Sequence, residues 1–140
     1  MADIKGYVVS EDLFYHKEHM WVKVDGDVAI VGLDDFAQKL AGEISFVDLP
    51  SEGDSVSKDE AIGSFETGKW MGKFFAPVSG EIIEKNNEVE DDPSLINSDP
   101  YGKGWIIKIK MSNKDELNSL MKYPDVEKWL NDEIAKHVKK

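Results

Sequence analysis

Not one cysteine occurs among the 140 residues. That absence excludes disulfides, a thiolate nucleophile and a cysteine-ligated metal, so any redox chemistry must come from an attached group. Arginine is missing too, and all 17 basic residues are lysine. The chain therefore lacks the usual bidentate reader of phosphate and guanine, and a formal net charge of −11 repels a phosphate backbone. Nucleic acid is excluded as a partner on these grounds; proteins bearing basic patches fit better. Long apolar runs are also lacking. No stretch approaches the roughly 18 residues that a membrane span requires. The opening MADIKGYVVSEDLFYHKEH is charged throughout and lacks the apolar centre of a secretory leader. The expectation is a cytoplasmic protein with no membrane partner.

What is present reads as one domain over residues 1–140, with a modest core. HMWVKVDGDVAIVGL (19–33) alternates around Asp25-Gly26, a hairpin signal. LDDFAQKLAG predicts a short helix capped by Asp34 or Asp35, with Phe36 and Leu40 paired at i,i+4 and Gly42 ending it. EISFVDLP, EAIGSFET and GWIIKIKM read as strands, and FFAPVSGEIIEKN as two short ones broken at Pro77 and Ser79-Gly80. The acidic run EVEDD (88–92) reads as a solvated loop, and Asp92-Pro93 as the start of one helical turn. From about residue 113 the pattern becomes helical. Asn113 with Glu116 forms a capping-box spacing, and Val126, Trp129, Leu130, Ile134 and Val138 share one stripe. Trp21, Trp105 and Trp129 are expected to pack in the core or under the helices. A faint echo relates AGEISFVDLPSEGDSV to SGEIIEKNNEVED. Short strands, Gly and Pro turns and terminal helices together predict a mainly β sandwich or barrel with a helical appendage.

The segment SFETGKWMGKFFAPVSGEI (64–82) has the form of a hairpin carrying two lysines, Lys69 and Lys73. Most lysines in turns serve only solubility. Here a strand runs up to Thr67-Gly68-Lys69 and Phe74-Phe75 leads another away, so a lysine held at the tip points outward at a fixed place beside apolar Trp70 and Met71. A modifying enzyme needs its target presented in that way. His16-x-x-His19 could ligate a metal on a helix, but the segment precedes a strand and no further His or Cys is near. Local hydrogen bonds or a cleft edge suit both histidines better, and no metal site is expected. A Glu66–His19 acid/base pair would lack a nucleophile and an oxyanion loop, so no catalytic residue is expected.

Over nearly its whole length the chain resembles the H protein of the glycine cleavage system, a lipoyl carrier. The resemblance is carried by YHKEHMWVKV, AIVGLDDFAQKLAGEISFVDLPSEGDSV, GSFETGKW, APVSGEIIEKN and LINSDPYGKGWIIKIK, in that family's order and spacing. It implies a barrel-sandwich hybrid of the lipoyl/biotinyl hammerhead type, with short helices and a helical C-terminus. The family's Glu-Ser-Val-Lys-Ala motif falls on Glu66, Thr67, Gly68, Lys69 and Trp70. Lipoate joined by an amide to Lys69 is thus implied, with Glu66 helping the modifying enzyme to recognise the tip. The implied role is a non-enzymatic swinging arm, shuttling a covalently bound intermediate between partner enzymes. The implied partners are a lipoate ligase or lipoyl transferase, glycine decarboxylase, aminomethyltransferase and dihydrolipoamide dehydrogenase.

The chain also departs from that family. Its His-Glu-Trp pattern here reads His19-Met20-Trp21, and the resemblance makes His19 and Met20 candidates for the cleft that receives the arm. Methionine offers a soft surface instead of a carboxylate for a positively charged amine. Gly68, Trp70 and Gly72 replace Val, Ala and Ser, and Lys73 stands where an acidic residue is usual. These changes are similar to those in H-like lipoate-binding proteins associated with heterodisulfide-reductase-like sulfur oxidation. There a sulfur intermediate would replace the aminomethyl cargo. Cargo is left open between the two, and an unmodified H-like interaction module remains the competing class.

Overall fold

The computed structural model describes residues 2–69 and 71–137. Trp70, expected beside the modified lysine, and Val138, expected on the terminal stripe, lie outside the described residues. The chain opens with a small hairpin of β1 (Ala2–Ile4) and β2 (Tyr7–Val9). A six-stranded antiparallel sheet follows, in the order β3 (Phe14–Tyr15), β4 (Met20–Asp25), β5 (Val28–Leu33), β11 (Ile107–Met111), β10 (Gly80–Lys85) and β7 (Ser55–Val56). A three-stranded sheet of β6 (Ile44–Asp48), β8 (Ala61–Thr67) and β9 (Met71–Phe75) completes the β structure. The protein is mainly β with short helices and a helical C-terminus.

Local signals explain most elements. Asp25 pairs with Val28, so the two-residue turn is Gly26-Asp27, one position later than the alternation suggests. Gly26 takes φ +62°, which glycine adopts without steric cost. Helix α1 (Asp35–Ala41) starts where the Asp34 side chain accepts a hydrogen bond from Ala37 N, and ends at Gly42 with φ +90°. The two halves of the echo fall at equivalent places: Gly42-Glu43-Ile44 leads into β6, and Gly80-Glu81-Ile82 opens β10.

Three local expectations are corrected. The EVEDD run is helix α2 (Asn87–Asp91), because the Asn86 side chain accepts from Glu88 N and Val89 is buried. Asp92 does not cap the following helix α3 (Leu95–Ser98); its carboxylate accepts instead from the Ser94 hydroxyl. Glu116 closes no capping box. Its carboxylate accepts from both the backbone N–H and the hydroxyl of Ser79, pinning a 3-10 helix (Lys114–Ser119) to the turn before β10. Tertiary partners won over the local one.

Two apolar cores result. The larger lies between the two sheets and includes Val22, Val31, Phe65, Phe74, Ile82 and Ile109. The smaller gathers Trp21, Tyr15 and Phe36 with Val126, Leu130 and Ile134 of helix α4 (Asp125–His137). Trp21 is buried and donates Nε1–H to the Pro100 carbonyl at 2.9 Å, while Trp105 and Trp129 pack partly buried against this core. No helix of the described residues is long and apolar enough to cross a membrane.

Candidate functional site

The β8–β9 hairpin separates the two lysines that its sequence leaves alike. Glu66 pairs with Met71 as the last rung, so the tip is residues 67–70, whereas Lys73 lies inside β9 opposite Ser64. Only Lys69 belongs to the loop. Its backbone N–H donates to the Thr67 hydroxyl at 3.2 Å, a short contact that shapes the tip, and the residue is exposed. Thr67 in turn pairs with Ile44, which anchors the tip's base to β6. A Cβ built on Gly68 meets nothing within 4 Å, so the glycine is not dictated by crowding.

The Lys69 stem lies over the end of α1. Its Cε is 3.7 Å from where a Cβ on Gly42 would sit. That end is clamped by Asn97, whose Oδ1 accepts from Ile44 N at 2.8 Å. The Asn97 Nδ2 group donates to Gln38 Oε1 and to the Gly42 carbonyl, each at 2.9 Å. A cavity flanks each side of this helix. One, of about 230 Å³, has an apolar floor of Leu33, Phe36, Ala37, Leu40, Phe65 and Phe75. Its rim carries Glu18, His19, Lys73, Glu133 and His137. The other, of about 480 Å³, is walled by polar residue types, Gln38, Lys39, Glu43, Ser94 and Asn97 among them, and by Gly42. An aliphatic arm loses water most favourably in the first.

His19 is the fixed point of that cavity. Its φ of +69° is rare for a residue with a Cβ and is imposed by the tight turn in which His19 N–H donates to the His16 carbonyl. Nδ1 lies 2.9 Å from Asp34 and Nε2 lies 2.8 Å from Glu133, and the ring stacks between Phe36 and Trp129. Carboxylates only accept, so both ring nitrogens donate and the imidazole is protonated. Burial pushes its pKa down, but the Asp34 and Glu133 charges outweigh burial and hold it above the ordinary value. Glu133 is likewise pushed up by burial, yet the hydrogen bond from His19 leaves it net lowered. His19 is thus engaged by these carboxylates and forms no pair with Glu66, which stands on the outer face of its sheet.

Met20 is a correction. Its side chain is fully buried in the larger core and lines neither cavity, because it follows the turn as the first inward residue of β4. The carboxylates at the cavity come instead from Glu18 and Glu133. His16 is a local hydrogen-bonding residue: Nδ1 accepts from Glu18 N, and Nε2 donates to Asp59. Among the described residues no cluster of His, Asp and Glu could hold a metal ion. Glu133, His137 and Lys73 escaped sequence reasoning as cavity residues.

Scaffold and site define a class of protein: a β frame that presents one exposed lysine at a hairpin tip, over the end of a helix flanked by two cavities. The comparisons name the family. The pattern described as glycine cleavage H-protein matches residues 13–133. The chain is 48% identical over 126 residues to the glycine cleavage system H protein of Carboxydothermus hydrogenoformans, covering 90% of this chain and 97% of that one. It is 43% identical over 111 residues to the H protein of Bacteroides fragilis, covering 79% and 88%. The crystal structure of a glycine cleavage system H protein from Mycobacterium marinum superposes with a TM-score of 0.77 at 29% identity, covering 89% of this chain and 98% of that one. The chain belongs to the glycine cleavage H-protein family, with its barrel-sandwich fold.

Proposed function

We propose that this chain is the lipoyl carrier of a glycine cleavage system, with lipoate in amide linkage to Nζ of Lys69. As a member of its family it is a carrier component rather than an enzyme. The observation that carries the reading is the placement of Lys69 as the one lysine in the tip of the β8–β9 hairpin, its stem resting on Gly42 at the end of α1, the helix whose other side lines the apolar cavity. The fit is physical: an exposed amine is open to acylation, and the cavity floor suits a hydrocarbon chain. When attached, the lipoyl group supplies a strained five-ring disulfide that opens to hold cargo on one sulfur and a thiol on the other. Glu66, Thr67 and Gly68 shape and mark the tip, and Trp70 is its outer neighbour. Tethering raises the cargo's effective concentration at each partner enzyme. Residues 1–140 act as one unit in this role, with the partners being a ligase or transferase and the glycine cleavage enzymes.

The chain's own groups set what the cavity accepts. The floor excludes water, while the Glu18 and Glu133 carboxylates at the rim complement a positively charged amine. Intact mass after incubation with lipoate ligase, ATP and lipoate tests the attachment. A lipoyl increment on Lys69 is expected; no increment with any ligase would leave the unmodified interaction module.

One observation favours a second cargo. Lys73 adds a cation to the same rim, which suits an amine-free sulfur intermediate in lipoate-dependent sulfur oxidation. Burial of Met20 removes the other argument for that cargo. Exchange of labelled bicarbonate into glycine by glycine decarboxylase separates the two: normal exchange supports glycine cleavage, and none supports the sulfur cargo.

A further inference from the structure

The carboxylate on the α4 wall of the apolar cavity is already occupied by cations. Oε1 of Glu133 accepts from Nε2 of His19 at 2.8 Å, and the His137 ring and the Lys136 amine approach Glu133 at 3.7 and 3.4 Å. Lys136 and His137 are exposed, so water screens them and their hold is weak. The His19 and Glu133 side chains are each only 13% exposed, and theirs is the contact that matters. Both line the cavity. Asp34, the other partner of the ring, does not line it and is fully committed. Its Oδ2 takes Nδ1–H of His19 and its Oδ1 caps α1 at Ala37 N, each at 2.9 Å. Tyr15 and Tyr101 lie near Asp34, and burial raises both phenols, so neither brings a charge. Glu18, on the same turn as His19, and Lys73 of β9 complete the charges of the rim at exposed positions. Glu133 is therefore the one buried partner of His19 that faces the cavity and can be exchanged.

We propose that the proton on Nε2 of His19 and the ammonium of an arm-borne cargo compete for Glu133, so that each displaces the other from the cavity wall. This rests on the carrier reading with its amine cargo. While the cavity is empty, the Nε2 proton is the cation against Oε1. A primary ammonium has three N–H donors. One can bond Glu133 and a second the Nε2 lone pair, once Nε2 has released its proton to solvent. Nδ1 keeps its proton and its bond to Asp34, so the ring stays between Phe36 and Trp129. An imidazolium and an ammonium held together at one carboxylate would repel at short range, with an apolar floor beneath them to limit screening. The coupling is reciprocal: whatever the ammonium costs the proton, the proton costs the ammonium. Burial lowers the His19 pKa and the two carboxylates more than offset it, leaving it above 6.5. The cargo amine is thus held weakly below that folded value and more tightly as pH rises through it, until the amine loses its own proton. A cargo without an amine leaves the His19 proton where it is.

The test uses the full chain, lipoylated by a ligase and checked by intact mass. The arm is reduced, and its thiols are alkylated with 2-bromoethylamine or, as the uncharged match, with 2-bromoethanol. The chain has no cysteine, so no other thiol reacts. Ring resonances of His19 and His137 are followed by NMR from about pH 5 to 9. The ammonium arm lowers the His19 midpoint by about one pH unit relative to the hydroxyethyl arm, a tenfold loss of proton affinity. In Glu133→Gln most of that difference disappears. Should Glu133→Gln misfold, Glu133→Asp carries the comparison, its carboxylate drawn back by one methylene and the difference reduced. Equal His19 midpoints in the two arms overturn the competition and leave the carrier reading standing. A shift confined to His137 overturns it too, as does a difference undiminished in the Glu133 variants, which would place the amine at Glu18. Absence of a lipoyl increment in the wild-type chain removes the carrier reading and this one with it.

Discussion

Nε2 of His19 and Oε1 of Glu133 are 2.8 Å apart, joining residues separated by 114 positions. Through this bond helix α4 closes the wall of the apolar cavity, and Asp34 at the cap of α1 holds the other ring nitrogen. Lys136 and His137 also face Glu133, at 3.4 and 3.7 Å.

The pH dependence of α4 docking follows. His19 titrates above its free value of 6.5, so its contribution is complete below about 6.5 and is lost as pH rises through the higher folded value. Glu133 titrates below its free value of 4.5, so its contribution is complete above that and is lost as pH falls through the lower folded value. Both are present between about pH 4.5 and 6.5. In that window His19→Gln should lower Tm by a few degrees, equivalent to about 1 kcal/mol. The gap should narrow as pH rises through the folded His19 value. A constant gap from pH 5 to 9, measured by thermal circular dichroism, would contradict the assignment.

Lys69 and Lys73 differ in place, and acylation should respect the difference. Lys69→Ala should take no lipoyl increment from a ligase, while Lys73→Ala keeps a full one. Intact mass decides, and an increment retained in Lys69→Ala would show that another lysine is used.

Gly72 has no room for a side chain. An added Cβ would lie 2.3 Å from Cζ of buried Phe65, which also forms the cavity floor. Gly72→Ala should therefore destabilise by about 1–3 kcal/mol through overpacking. Urea unfolding would show this, with the m-value unchanged.

Asn97 holds the helix end under the Lys69 stem. Asn97→Ala removes an acceptor from Ile44 N and donors from Gln38 and Gly42, a loss of about 1–3 kcal/mol. The urea midpoint should fall accordingly, and a midpoint shift within error would show that water replaces the amide.

Periodicity and turn chemistry made much of the fold legible. Asp34 and Gly42 bracket α1 as their types require, and Asp125–His137 is helical where the stripe of Val126, Leu130 and Ile134 says so. Legibility failed where a side chain had two possible partners. Glu116 sits at capping-box spacing, yet Ser79 offered two donors from another segment. Phe46 stands two residues after buried Ile44, yet one extra residue in the ladder, Ser45, turns it outward. The resemblance implies Met20 as a cleft residue, but the turn at His19 sends it inward.

The amino-acid order alone determined the class: lysine-only basicity, no thiol, a hairpin with an amine at its tip, and a run of motifs in one family's order. These are local or compositional properties, set by covalent chemistry and by spacing along the chain. Tertiary structure decided which lysine stands in the loop, which carboxylates surround His19 and which faces meet water. Those outcomes depend on contacts between segments far apart in sequence, and no local pattern encodes them.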